Sequence, residues 1–263
     1  MRTVSYLMVI LLAAVLLGML PGAGAAAEKT QLIAFVGAAS KPPAQEAEKV
    51  FEKAHPEVDI IMTFGGSGTL LQQMMLEQIG DIYMPGSDDF MDKAEAKKAV
   101  IPETRKIVAY LIPTICVQHG NPKKIQSLAD LARPGITVGL AKAGAVCLGD
   151  ASETILRKAG LLDEVKKNVI TYAASCEHTQ QLVQLGEVDA VIGWDAFKSW
   201  APDQIDLVKI DPKYLRVHNV PAAVTVYSKQ RAAAEHFIAF LTSKEGKQIF
   251  SKNGYSVTPP KLK

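Results

Sequence analysis

The sequence predicts an α/β protein of two lobes, with mainly parallel sheets, flanking helices and a hinge between the lobes. Two observations predict it. Short β-rich runs alternate with amphipathic helical stretches from residue 31 to residue 253, the pattern of repeated βα units. Two long extended runs, at 107–117 and 218–227, interrupt that alternation, as suits a chain that leaves one lobe, builds a second and returns. The expected boundaries are 28–112 plus 222–263 for lobe one and 113–221 for lobe two. A single doubly wound sheet is the simpler alternative.

The elements follow in order. Residues 31–36 read as a strand, and 43–54 as a helix with Ala44, Ala47, Val50, Phe51 and Ala54 at helical spacing. A strand at 59–64 precedes a Leu- and Met-rich helix at 69–79. Residues 82–84 form a short strand ended by Pro85-Gly86. The helix at 88–98 opens with Asp88, Asp89 and Asp92, whose charge suits the positive end of a helix dipole better than a catalytic dyad. Beyond the run at 107–117, which holds Pro113, come a short helix at 125–131, a strand at 137–140 and a helix at 151–159. Strand 169–173, helix 177–185, and strands 190–192 and 206–210 follow. Helices at 231–241 and 244–253 end the chain.

Composition bounds the function. The 263 residues are 48% hydrophobic and 21% charged, which supports a sizeable core and argues against disorder. Lys+Arg 29 against Asp+Glu 27 leaves +2, no electrostatic footprint for nucleic acid. Three cysteines are too few for a disulfide-dense scaffold. Only the N-terminus is apolar enough to enter a membrane, which excludes a polytopic membrane protein. Arg2, the apolar stretch 4–20 and the small residues through Ala27 have the order of a secretory signal peptide over 1–27, cut after Ala25 or Ala27. An uncleaved anchor helix is the alternative. Export to the periplasm would place the chain where two of its cysteines could pair.

Four strand-to-helix junctions could bind a ligand, because open α/β sheets bind at the carboxyl ends of their strands. They are Val36-Gly37-Ala38-Ala39-Ser40, Phe64-Gly65-Gly66-Ser67-Gly68-Thr69, the loop from Ala143 to Asp150, and the loop from Ala173 to Thr179. Free N–H groups at such helix starts bind anions. Taken alone, Ser40 reads as a plain N-cap, and Ser67 can cap the following helix. Gly66-Ser67-Gly68 matches neither a phosphate-binding Walker loop nor Gly-x-Ser-x-Gly.

Here the chain resembles the periplasmic molybdate/tungstate-binding proteins, within the bacterial extracellular solute-binding superfamily. The resemblance is carried by Ala38-Ala39-Ser40, Gly66-Ser67-Gly68-Thr69-Leu70, the stretch from Asp81 to Ser87, Gly186-Glu187-Val188-Asp189-Ala190 and the terminal helix. It implies a type II periplasmic-binding-protein fold that closes on a tetrahedral dianion and feeds the membrane permease of an ABC importer. It implies no catalysis and no cofactor; a monomer is expected. Ser40 and Ser67 match the two oxyanion serines. Leu148 and Cys176 fall where backbone N–H groups donate, and Trp194 near a ligand-contacting Tyr. Ala39 and Cys147 complete the expected site. Two departures stand out: Gly193 replaces the Glu of members that coordinate metal octahedrally, and both lobe-two loops carry a Cys.

Cys147 and Cys176 have three readings: a disulfide, a soft-ligand site that could include His178, or two buried thiols. Cys116 reads as core, Met74-Met75 as core, and His178 as a solvated first-turn residue. Cys176-Glu177-His178 lacks zinc spacing. The function expected is capture of molybdate or tungstate. The alternatives are sulfate, a small organic acid, a thiophilic metal or metalloid held by Cys147 and Cys176, or a periplasmic enzyme.

Overall fold

The computed structural model describes residues 29–262, so the expected signal peptide lies outside the described residues. Lobe one opens with β1 (Thr30–Gly37), α1 (Lys41–Ala54), β2 (Val58–Gly65), α2 (Ser67–Glu77), β3 (Ile82–Met84), α3 (Asp88–Ala96) and β4 (Lys106–Leu111). Lobe two follows with β5 (Pro113–Gln118), β6 (Val138–Ala141), α4 (Cys147–Lys158), α5 (Leu162–Lys166), β7 (Val169–Ala173), α6 (Cys176–Gln184), β8 (Ala190–Trp194), α7 (Phe197–Trp200) and β9 (Ile205–Val208). The chain returns in β10 (His218–Val224) and ends in α8 (Arg231–Thr242) and α9 (Lys244–Lys252).

The two five-stranded sheets have the orders β2-β1-β3-β10-β4 and β7-β6-β8-β5-β9. Within each, the βα units pair in parallel, β1 with β2 and β3, and β6 with β7 and β8. The strands next to the crossings pair antiparallel: β10 with β3 and β4, and β5 with β8 and β9. The sheets are therefore mixed. A returning strand must fit into a sheet already built, and here it does so in the opposite sense.

The extended run at 107–117 is two strands in different sheets. The break is at Ile112, whose peptide is withdrawn from both ladders. Its N–H donates to Asp195 Oδ1 at 3.1 Å, and its C=O accepts from the Asp195 N–H at 2.9 Å. Pro113 adds a residue with no N–H to donate. The return crossing precedes His218, which already pairs with Leu111 in sheet one, ahead of the 221/222 boundary expected from the sequence. Residues 125–131 form a 3-10 turn (Leu128–Ala132) instead of an α-helix, closed by a reciprocal cap between Ser127 and Asp130. The short helices α5 and α7 were not anticipated, since each is too brief to show a period.

The helix faces obey the apolar spacing. α1 buries Ala44, Ala47 and Phe51 against lobe one, and complete burial of a ring such as Phe51 contributes roughly 1.5–3 kcal/mol. β8 is buried along its whole length, as suits the middle of a sheet covered on both faces. Cys116 is fully buried in the core, where desolvation pushes its thiol up. Among the described residues no helix is long and apolar enough to cross a membrane.

Asp195 ties the two lobes together at this joint. Its carboxylate also accepts from the Ala196 N–H at 3.1 Å, but burial dominates and raises its pKa to about 6. A raised carboxyl pKa favours folding fully below the unfolded value near 4, and that contribution is lost as pH rises through 6. Asp195→Asn should keep both accepted bonds while removing the buried charge. Its unfolding free energy should match wild type near pH 4 and exceed it above pH 6.5 by on the order of 3 kcal/mol. An equal shift at both pH values would show that Asp195 does not titrate in this range.

Candidate functional site

Four βα units direct helix starts into the seam between the lobes. α1 and α2 begin at the carboxyl ends of β1 and β2, and α4 and α6 begin beyond β6 and β7. Their first N–H groups have no partner within the helix, so each helix start presents donors and the positive end of its dipole.

The loops meet closely. A Cβ at Gly66 would lie 2.5 Å from the Ala145 carbonyl oxygen and 3.0 Å from that of Ala174. At Gly68 it would lie 2.2 Å from the Gly144 carbonyl oxygen. Glycine is required at both positions because the backbone of lobe two occupies the space of a side chain. The Gly68 N–H donates to the Ala145 C=O at 2.9 Å, a hydrogen bond from one lobe to the other. At the rim, Lys41 Nζ donates to both Glu177 carboxylate oxygens, at 2.9 and 3.1 Å, and Lys93 pairs with Asp150 at 3.0 Å. Half-exposed pairs of this kind contribute only about 0–1 kcal/mol each, so contact between the loops is the larger part of closure.

All seven residues expected at the site are buried. Ser40 precedes α1, but its hydroxyl makes no cap bond and has no hydrogen-bond partner. Ser67 is the first residue of α2 and does not cap it; its Oγ instead accepts from the Gly86 N–H at 3.0 Å. The capping roles read from the sequence are thus not taken up. Ser40 stands at the cap position of α1 without a cap bond, and Ser67 lies one place inside α2, past the cap position held by Gly66. Ala39 packs in the same cluster, with its C=O accepting from the Tyr255 hydroxyl.

From lobe two, Cys147 and Cys176 are the first residues of α4 and α6, and both are unbridged thiols within hydrogen-bonding reach of each other. The Leu148 N–H faces both sulfurs. Donation from the Cys176 S–H, then from the Ser67 hydroxyl and the Leu148 N–H, holds the Cys147 thiol below its ordinary range despite burial. Cys176 is pushed well up by its bond to Cys147 and by desolvation. The Trp194 indole N–H leans toward the Cys176 sulfur and has no well-formed hydrogen bond. His178 is exposed, and only its backbone N–H is engaged, by the Ser175 hydroxyl that caps α6 at 3.1 Å.

Sequence reasoning missed three contributors. Ser87, read as part of a loop after a strand, is buried with an unpartnered hydroxyl. Gly86 supplies the N–H that Ser67 accepts. Tyr255 reaches the site from the far end of the chain. Only the Pro85-Gly86-Ser87 breaker following a short strand could have signalled the first two. Among the described residues, one group has the spacing of metal ligands: Asp88, Asp89 and His218. Arg216 already pairs with both carboxylates there, and burial lowers the pKa of His218 to about 4.

The model of the family described as "Bacterial extracellular solute-binding protein" matches residues 32–256. The molybdate-binding protein ModA of Mycobacterium tuberculosis is 26% identical over 226 residues, covering 86% of this chain and 84% of that protein. Two solved structures share the fold. The periplasmic molybdate-binding protein of Azotobacter vinelandii has a TM-score of 0.74 at 17% identity, covering 88% of this chain and 100% of that one. The sulfate-binding protein SubI of M. tuberculosis H37Rv also has a TM-score of 0.74, at 18% identity, covering 87% and 86%. The fold is that of a type II periplasmic binding protein, two α/β lobes with the strand ends facing each other, and the chain belongs to the bacterial extracellular solute-binding protein family.

Proposed function

We propose that this chain, once exported, captures a small tetrahedral oxyanion between its lobes and delivers it to the permease of an ABC importer, with molybdate and tungstate as the first candidates. The observation that carries the proposal is the convergence of four helix starts on one buried seam with a hydroxyl, Ser40 Oγ, that has no partner. Such a seam offers many dipolar donors, and Lys41 beside it is neutralised by Glu177. Distributed donors suit a dianion, which several charge-assisted hydrogen bonds can hold without a counter-charge. A lining of donors also disfavours anions that keep a proton, because that proton would face another donor. The molybdate-binding relative supports the choice of ion. No catalytic step is proposed.

A thermal-shift panel of molybdate, tungstate, sulfate, phosphate and citrate tests this. A ligand at a hundred times its Kd adds about 2.7 kcal/mol, a rise of about 5 °C or more for a domain of this size. Molybdate and tungstate should give the largest rises. A rise with citrate alone would transfer the site to organic acids, and no rise with any tetrahedral anion would end the proposal.

A further inference from the structure

We infer that the Cys147–Cys176 pair gives the cleft a second, covalent ligand mode, in which both sulfurs capture a trivalent metalloid hydroxide. The inference rests on the cleft reading above only for where the ligand lodges.

Three observations carry it. The two thiols stand side by side at the starts of α4 and α6, both buried and unbridged. The Cys147 sulfur points across the seam into lobe one: a Cβ at Gly86 would lie 2.8 Å from it, and the Ser67 hydroxyl is within its reach. The pair is flanked by buried polar groups that lack partners, Trp194 Nε1 beside Cys176 and Ser40 Oγ across the seam.

A hard tetrahedral dianion does not account for these sulfurs. A thiol is a weak donor, so two of them side by side add little to the grip on a hard oxyanion. A soft acceptor does account for them. Thiolate is both the nucleophile and the soft ligand, and paired sulfurs select thiophilic centres over hard ones. The step balances without electron transfer. Two sulfur–metalloid bonds form and two metalloid–oxygen bonds break. Two waters leave with the two thiol protons, and the third hydroxyl remains on the metalloid, on the side of Ser67 and Ser40.

Arsenite is the probe, and the protein is reduced with a phosphine, because a dithiol reductant would itself take up the probe. Wild type and Cys116→Ser should show a raised melting midpoint. Their intact mass should increase by one arsenous acid less two waters. Cys147→Ser and Cys176→Ser each keep one attachment point and should bind roughly a hundredfold more weakly, since the second bond of a chelate is effectively intramolecular. No rise in wild type, or an undiminished rise in either single-thiol variant, overturns the inference. Molybdate titration of the same proteins keeps the two readings separate. A response to molybdate without one to arsenite defeats the covalent mode alone. A response to arsenite with none to any tetrahedral anion defeats the oxyanion reading alone.

Discussion

Gly68→Ala should abolish ligand-induced closure while leaving each lobe folded. The added methyl would sit 2.2 Å from the Gly144 carbonyl oxygen and 3.2 Å from Ala145 Cα, both backbone atoms of the opposite lobe. A flexible side chain could move aside; these cannot. The lobes must stay apart, and every donor that lobe two brings is lost together. At about 1.5–3 kcal/mol for each charge-assisted hydrogen bond, losing even two weakens binding by more than a hundredfold. Within lobe one the methyl would also lie 2.8 Å from Phe90 Cε1, a buried ring that must shift, and this offsets the gain of about 1 kcal/mol by which Ala favours a helix over Gly. Calorimetry and small-angle scattering check both parts. The variant should still unfold cooperatively without ligand, bind at least a hundredfold more weakly, and show no compaction when ligand is added. Wild-type affinity would mean that the ligand is held by one lobe alone.

The serines should separate into two kinds of loss. Ser67→Ala and Ser40→Ala are each expected to weaken oxyanion binding roughly ten- to a hundredfold, the worth of one charge-assisted hydrogen bond. Their effects on the unliganded protein should differ. Ser67 Oγ satisfies the buried Gly86 N–H, so its removal orphans that donor and costs about 1–3 kcal/mol. Ser40 Oγ satisfies nothing, so its removal should leave the midpoint unchanged or higher. Titration and melting of both variants read this directly. If both bind the best ion as tightly as wild type, the hydroxyls do not grip the anion. If Ser40→Ala lowers the unliganded midpoint, its hydroxyl has a structural partner after all.

The alternating βα units were legible because strand and helix periods are local: β1, α1, β2 and α2 begin and end within a few residues of expectation. The crossing was legible as a long extended run with a lobe boundary expected at 112/113, but the cause of the break was not. The Ile112 break depends on Asp195, which lies 83 residues away in the chain. The loops that form the seam could be found from Gly and Ser at strand ends. What each hydroxyl does there could not, because an N-cap and a hydroxyl turned into a seam share one local sequence. The distinction lies in backbone angles and in partners such as Gly86 and Tyr255, which reach Ser67 and Ala39 from distant segments. The nearness of Cys147 and Cys176 was foreseeable from neighbouring strand ends; that the pair faces lobe one was not.

The position of Trp194 gives the cleft an optical reporter of its own. The chain has two tryptophans, and this one lies on the seam with its indole N–H dry and beside a sulfur. When the lobes part, water gains access to the indole and the thiol contact loosens, so emission colour and quenching both change with the state of the cleft. Trp200 stands at the end of α7, tilted against Phe197 at 4.8 Å, and replacing it with Phe leaves Trp194 as the reporter. Opening and closing can therefore be followed in real time on the unlabelled protein, which separates the rate of lobe motion from the rate of ligand arrival.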